Sequence, residues 1–160
     1  MISIVVAYSS NRVIGHRGRL PWRLPSDLRR FRELTVGHTV VMGRRTFQSL
    51  PPAYRPLPDR QNVVVSANPA FRPPGVEVHA SFESALAAHA DGCFVIGGSS
   101  IYEQAMPYAS RIYATHVQAH TDGDAFFPVL DPADWRCVEE REPLLENDHA
   151  FVFRTYDRQV

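Results

Sequence analysis

Four short runs of almost unbroken apolar, largely β-branched sequence constrain this chain most: Ile2 to Ala7, Thr39 to Met42, Asn62 to Ser66 and Phe94 to Ile96. A strand with one face in water alternates apolar with polar residues, whereas a run that is apolar throughout needs cover on both faces. Helical patterns lie between them, at Leu24 to Thr35, Thr46 to Leu50, Ser81 to Ala90 before Asp91-Gly92, and Ile101 to Met106 before Pro107. With further strands at Val76 to Val78 and Arg111 to Val117, the alternation predicts an α/β fold with a mainly parallel, twisted sheet whose centre is the four apolar runs. Trp135 to Arg141 and His149 to Tyr156 alternate instead, and the polar loop at Glu146, Asn147 and Asp148 makes them an antiparallel pair at a sheet edge. A chain of 160 residues fits one domain spanning 1–160, large enough to hold a core without staples.

Composition narrows function mainly by exclusion. There is no lysine among the 17 cationic residues, so a Walker P-loop, a Schiff-base nucleophile and a pyridoxal phosphate anchor are excluded together. Net charge is zero but unevenly spread: residues 1–60 carry eleven arginines against Asp27, Glu33 and Asp59, and the remainder is acidic by the same margin. The basic third suits a small anionic ligand, while the lack of a basic run interleaved with aromatics argues against nucleic acid. The first apolar run is too short for a signal peptide or a membrane span, which predicts a soluble cytoplasmic protein. Cys93 and Cys137 have no disulfide or zinc spacing, and His116 and His120 lie in or just beyond a strand, where i, i+4 spacing does not aim both rings together, so no metal is assigned.

Four segments carry chemistry. Asp27 sits at i, i+4 and i+7 with Phe31 and Leu34 on the apolar side of its helix, just after Leu20-Pro21-Trp22. It is either an ordinary first-turn acid complementing the helix dipole or a buried acid, with a raised pKa, gripping a ring beneath an aromatic. Val41-Met42-Gly43-Arg44-Arg45-Thr46 runs from a strand through two arginines into a helix, a phosphate-binding arrangement or a plain tight turn. Ile96-Gly97-Gly98-Ser99-Ser100-Ile101-Tyr102-Glu103 brings a glycine pair to a helix start, with Ser100 and Glu103 spaced as a capping box. It matches neither the dinucleotide fingerprint nor the nucleophile elbow. Arg55-Pro56-Leu57-Pro58-Asp59-Arg60 stiffens a loop bearing two arginines, suited to a ligand carboxylate or simply exposed.

Taken in order and spacing, Val13-Ile14-Gly15, Leu20-Pro21-Trp22, Leu24-Pro25-x-Asp27-Leu28-x-x-Phe31, Val41-Met42-Gly43-Arg44-x-Thr46, Arg55-Pro56-Leu57-Pro58-x-Arg60, Ile96-Gly97-Gly98, Tyr102 and Gly123-Asp124 with Phe127-Pro128 resemble bacterial dihydrofolate reductase. The resemblance implies an eight-stranded, mostly parallel sheet with an antiparallel C-terminal strand and about four helices. It implies hydride transfer from NADPH to C6 of 7,8-dihydrofolate with protonation at N5, giving tetrahydrofolate for one-carbon metabolism, in a monomer that antifolates would inhibit. Asp27, Leu20 and Trp22 would form the catalytic group. Val5, Ala7, Leu28, Phe31, Ile96 and Thr115 would line the substrate pocket, Leu57 would pack on the aminobenzoate ring, and Arg60, with Arg55 nearby, would hold the α-carboxylate. The cofactor would lie along Ala7, Ile14, Gly15, Gly18 and Leu20, then Gly43, Arg44, Arg45, Thr46 and Ser66, then Gly97, Gly98, Ser99, Ser100, Ile101 and Tyr102. Residues Ile14 to Trp22 would form a mobile lid, and the family's Gly-Gly peptide is usually cis.

This sequence departs from the pattern where Ala67 replaces a second serine and Ala80 replaces a basic residue of some relatives, weakening the preference for NADPH that Arg44 and Arg45 should preserve. The loop Ser49 to Tyr54 is slightly longer than the commonest bacterial form. The rivals are a riboflavin-pathway reductase, which would not be expected to carry the set Trp22, Asp27 and Arg60, and a catalytically silent pterin or nucleotide binder.

Overall fold

A computed structural model describes residues 1–15 and 21–160. In chain order the strands are β1 (Ile2–Ser9), β2 (Val13–Gly15), β3 (Thr39–Gly43), β4 (Gln61–Val65), β5 (Val76–His79), β6 (Cys93–Val95), β7 (Arg111–Val117), β8 (Ala125–Phe126), β9 (Trp135–Glu140), β10 (Leu144–Glu146) and β11 (His149–Arg158). The helices are α1 (Pro25–Thr35), α2 (Arg44–Ser49), α3 (Phe82–Ala88) and α4 (Ser99–Ala105), with a 3-10 turn at Pro52–Tyr54.

The main sheet runs β10-β11-β7-β1-β6-β3-β4-β5. It is eight strands wide, because β9 and β10 share one edge of β11, pairing with its second and first halves respectively. From β7 to β5 all pairs are parallel, and β11 is antiparallel to β7, as the resemblance implied. The four apolar runs form the contiguous block β1-β6-β3-β4. Their residues Ile4, Val40, Val41, Val63 and Val95 are almost wholly excluded from water, as strands covered on both faces must be.

The strand order reverses around β1 and β6: β3 to β5 spread to one side of β1 beyond β6, and β7 lies on the other. Ligands of open α/β sheets bind outside the carboxyl ends of strands at such a switch. The ends meeting there are Ala7 of β1, Gly43 of β3 and Ile96-Gly97 after β6.

Several sequence expectations need correction. The pair expected from Trp135 to Tyr156 is three strands, since Leu144–Glu146 turns back on β11 through Asn147 and Asp148, both at positive φ. Helix α4 begins at Ser99 with Gly98 as an N-cap that offers no side chain, so Ser100 and Glu103 form no capping box; Gln104 bonds back to the Ser100 carbonyl and hydroxyl instead. Helix α2 begins two residues early, which puts Arg44 and Arg45 in its first turn. Leu28, expected to line the substrate pocket, is 51% exposed, and the buried residues of the helix are Arg30 and Thr35. Arg30 achieves this because its stem packs inward and its guanidinium lies 4.5 Å from the Phe153 ring centroid.

The two-stranded ribbon β2-β8 was not foreseen, and Gly123 permits it. A Cβ there would lie 2.2 Å from Val13 Cγ1 and 2.7 Å from the Gly15 carbonyl oxygen, contacts no side-chain rotation relieves. Gly123→Ala therefore lowers stability by about 1–3 kcal/mol, the usual cost of overpacking, read as a fall in the urea midpoint. A parent-like midpoint would show that the ribbon yields freely.

Candidate active site

Helix α1 carries Asp27 in its first turn but has no cap of its own: Leu24 occupies the N-cap position and Pro25 follows. The cap comes from 120 residues away. Glu146, on the β10–β11 hairpin, accepts the Ser26 N–H at 3.0 Å and a short hydrogen bond from the Ser26 hydroxyl, and Asn147 Nδ2 donates to the Arg23 carbonyl at 2.7 Å. A carboxylate on these N–H groups satisfies orphan donors and complements the helix dipole. The start of α1 is thus anchored to the sheet edge.

The Asp27 carboxylate accepts a 2.5 Å hydrogen bond from the Thr115 hydroxyl of β7. Burial pushes its pKa above the ordinary carboxylate value, while the Thr115 hydrogen bond and the Arg30 charge pull it down and Glu146 adds a smaller upward push. Arg30, one turn further along α1, donates to the Ala114 carbonyl at 3.1 Å and approaches the Thr155 hydroxyl at 3.5 Å. It forms no ion pair within contact distance among the described residues. Sequence reasoning missed Arg30, since a charge at a helix position reads by default as solvated.

Thr115 pairs in register with Ala7, and Ala7 lines a cleft of about 550 Å³ with Ile14, Gly15, Ile96, Gly97, Tyr102 and Asp124. The Tyr102 hydroxyl donates to the Val5 carbonyl at 2.8 Å, and the Asp27 charge is among the causes that, after burial, raise its pKa. A second cleft of about 670 Å³ is lined by Gly43, Arg44, Val65, Ser66, Ala67, Asn68, Ala80 and Ser81. Arg45, Thr46, Gly98 and Ser99 line both, so the two join into one elongated groove with a cationic, hydroxyl-rich waist.

The waist fits an anionic, two-lobed cofactor. Neither α2 nor α4 has a side-chain cap among the described residues, which leaves their first-turn N–H groups available at the groove. Arg44 and Arg45 have no carboxylate partner among the described residues. Gly97, at φ +116°, could not carry a side chain, whose Cβ would sit 3.1 Å from the Tyr102 ring, and its carbonyl accepts the Gly43 N–H at 2.8 Å. The Gly97-Gly98 peptide is cis, and so is Arg55-Pro56.

The other expected residues fall as follows. Trp22 is buried against Leu24, Phe151 and Phe153, and its Nε1–H has no acceptor among the described residues. Phe31 packs partly into the core beside the Arg60 guanidinium, 5.8 Å from its ring centroid; Arg60 also donates to Pro58 O and to Thr35 Oγ1. Leu57 is only 6% exposed, held among Val40, Met42, Phe47 and Val64, so little of it remains for a ligand ring. Arg55 is exposed and bonded to the Gln48 carbonyl. Ser100 and Ile101 line the second cleft. Gly18 and Leu20, with most of the expected lid, lie outside the described residues.

The dihydrofolate reductase family model matches residues 1–158. The chain belongs to the dihydrofolate reductase family. It is 42% identical to dihydrofolate reductase type 3 of Salmonella typhimurium over 99% of both chains, and 37% identical to the Bacillus subtilis dihydrofolate reductase over 99% of this chain and 95% of that one. It is 48% identical to the Mycobacterium tuberculosis enzyme over 85% and 84% of the two chains. A solved structure of Enterococcus faecalis dihydrofolate reductase complexed with NADP(H) and RAB-propyl superposes with a TM-score of 0.89 at 35% identity, covering 100% of this chain and 97% of that one. As a member of this family the chain is an NADPH-dependent reductase of dihydrofolate.

The Asp27 environment has a cost. Its folded pKa is raised above the unfolded value, so the ionised carboxylate opposes folding above the folded pKa, and the penalty fades as pH falls toward the unfolded value. Asp27→Asn keeps an acceptor for Thr115 and removes the charge. Its Tm should exceed the parent's near about pH 8, with the gap closing toward about pH 4. A constant gap across that range would show that the carboxylate is not strained by burial.

Proposed function

We propose that the chain reduces the C6–N5 bond of 7,8-dihydrofolate to give tetrahydrofolate for one-carbon metabolism, with NADPH in the groove supplying the hydride to C6 and Asp27 governing proton delivery to N5. The observation that carries this reading is the half-buried, hydrogen-bonded acid one strand pairing away from the groove, at Asp27, Thr115 and Ala7. An ionised Asp27 accepts hydrogen bonds from the pterin amino group and the adjacent ring nitrogen, with Thr115 fixing the carboxylate plane. A carboxylate held this way polarises the ring toward protonation, and desolvation raises its pKa above the ordinary carboxylate value, which favours its part in proton exchange. Water is the immediate donor to N5, and the buried Trp22 Nε1–H orients it.

Val5, Ala7, Leu28, Phe31 and Ile96 line the substrate side, where the 51% exposure of Leu28 is surface a ligand covers. Arg60, its plane fixed by Pro58 O and Thr35 Oγ1, meets the α-carboxylate, with Arg55 adding charge at the loop. Arg44, Arg45, Thr46 and Ser66 hold cofactor phosphates. Gly43 and the segment Gly97 to Tyr102 let the backbone approach the pyrophosphate, and Ile14 and Gly15 adjoin the nicotinamide end. Gly18 and Leu20 belong to a lid that excludes water. Antifolates compete for the same pocket. Residues 1–160 act as one domain and a monomer in the cytoplasm; no described helix is long and apolar enough to cross a membrane.

The direct test is NADPH oxidation, followed at the nicotinamide absorbance, with dihydrofolate, with NADH in place of NADPH, and with a pyrimidine riboflavin precursor. Oxidation of NADPH by dihydrofolate alone supports the reading; oxidation only with the pyrimidine sinks it. Asp27→Asn should bind NADPH almost as the parent does and lose about 10²- to 10⁴-fold in turnover at neutral pH, less at low pH where solvent protonates N5. Equal turnover at neutral pH would remove Asp27 from the mechanism.

Arg30→Met supplies the matching electrostatic test. Losing the buried cation raises the proton affinity of Asp27 and of the N5 it polarises, so the alkaline fall in turnover, set by N5 protonation, should move to higher pH. An unmoved profile would mean the Arg30 charge is not felt at the site.

A further inference from the structure

Away from the groove, at the opposite sheet edge from β10, two histidines and a glutamate converge. Glu77 and His79 are two residues apart on β5 and therefore point to the same face of the strand. His89 is the C-cap of α3, which packs on that strand. Glu77 Oε2 lies 2.8 Å from His79 Nε2 and 2.6 Å from His89 Nε2, and the ligand atoms of all three residues lie within 4.8 Å of one another. Among the described residues no other group of three metal-ligating side chains has this spacing.

We propose that Glu77, His79 and His89 form a divalent transition-metal site that takes Zn²⁺, with a water as fourth ligand. Two imidazoles and one carboxylate are a donor set zinc accepts, with metal–ligand distances of about 2.0–2.2 Å. Tetrahedral geometry at those distances places ligand atoms about 3.4 Å apart, so the two His–Glu contacts need to open by about 0.6–0.8 Å. The Glu77 side chain, 38% exposed, has room to withdraw, while His79 and His89, at 17% and 11%, are held. His79 Nδ1 faces the Ser84 hydroxyl at 2.8 Å, the outer hydrogen bond that fixes a ligating imidazole and leaves Nε2 for the metal. His89 is fixed by backbone bonds on both sides, its N–H to Leu86 O and its carbonyl to the Gly92 N–H.

Such an ion would pin the edge strand β5 to the end of α3. The chain between those elements, Ala80 and Ser81, lines the second cleft, so the site lies behind one wall of the groove without entering it. Its role is to hold that wall, and it is independent of the reduction chemistry.

The test is calorimetric titration of the untagged, chelator-stripped protein with Zn²⁺, with Co²⁺ absorption as a report on geometry. The expected result is one tight equivalent with tetrahedral Co²⁺ bands and a Tm raised by the metal. Ser84→Ala should weaken binding about 10- to 100-fold, and His89→Gln or His79→Gln should abolish the tight equivalent. Should the buried His89 variant fail to fold, Glu77→Gln on the exposed edge carries the same expectation. No tight equivalent in the parent, or one that survives these substitutions because other histidines hold it, overturns the proposal.

Discussion

A carboxylate is drawn partly out of water where helix α1 meets strand β7, and much of the rest of the structure bears on that choice. Removing an aspartate from solvent opposes its ionisation, and the fold offsets this only in part, with one hydroxyl from Thr115 and one cation at Arg30. A direct bidentate ion pair would have lowered the pKa and closed the carboxylate to ligands. Arg30 instead spends its donors on Ala114 and Thr155, so its charge reaches Asp27 through space while Asp27 keeps an oxygen for a ligand. Moderate compensation is what leaves an acid available for proton exchange.

Holding that acid in place falls to parts of the chain remote in sequence. The hairpin tip at Glu146 and Asn147 caps α1 and fastens the irregular segment leading into it at Arg23, and β11 supplies Phe153 and Thr155 around Arg30. The C-terminal strands, which line neither cleft of the groove, thus set the position and electrostatics of the α1 start. Damage to the hairpin would reach the site by loosening Ser26 and, one residue on, Asp27.

The fold was legible where one kind of sequence signal sufficed. Uninterrupted apolar runs forced a two-faced parallel sheet and their central place in it, while their order came only with the structure. The groove was legible because glycines and arginines at strand ends carry backbone and charge requirements that few alternatives meet. What escaped depended on tertiary partners: α4 starts at Ser99 because the Gly97-Gly98 turn delivers the chain there, overriding the Ser100 and Glu103 spacing, and β10 exists only because β11 offers an edge. Arg30 escaped because nothing local distinguishes a solvated arginine from one laid over Phe153. Glu77, His79 and His89 escaped because the third member comes from the far end of a helix, and only packing brings it within 2.6 Å.

The uneven charge along the chain now has a structural meaning. The basic first 60 residues supply Arg44 and Arg45 at the waist of the groove, Arg60 beside Phe31, and Arg30 behind Asp27, so the positive excess sits at the positions proposed to hold an anionic cofactor and an anionic substrate tail. The second cleft presents Ala67 and Ala80, which offer no side-chain polar group, beside Ser66, Asn68 and Ser81. These neutral groups can orient a phosphate but add little long-range attraction, which leaves discrimination for a phosphorylated ribose to Arg44 and Arg45. Because those arginines have no carboxylate partner among the described residues, a bound phosphate gains their charge without first breaking an internal ion pair. Alanine at the two flanking positions is therefore compatible with preference for the phosphorylated cofactor.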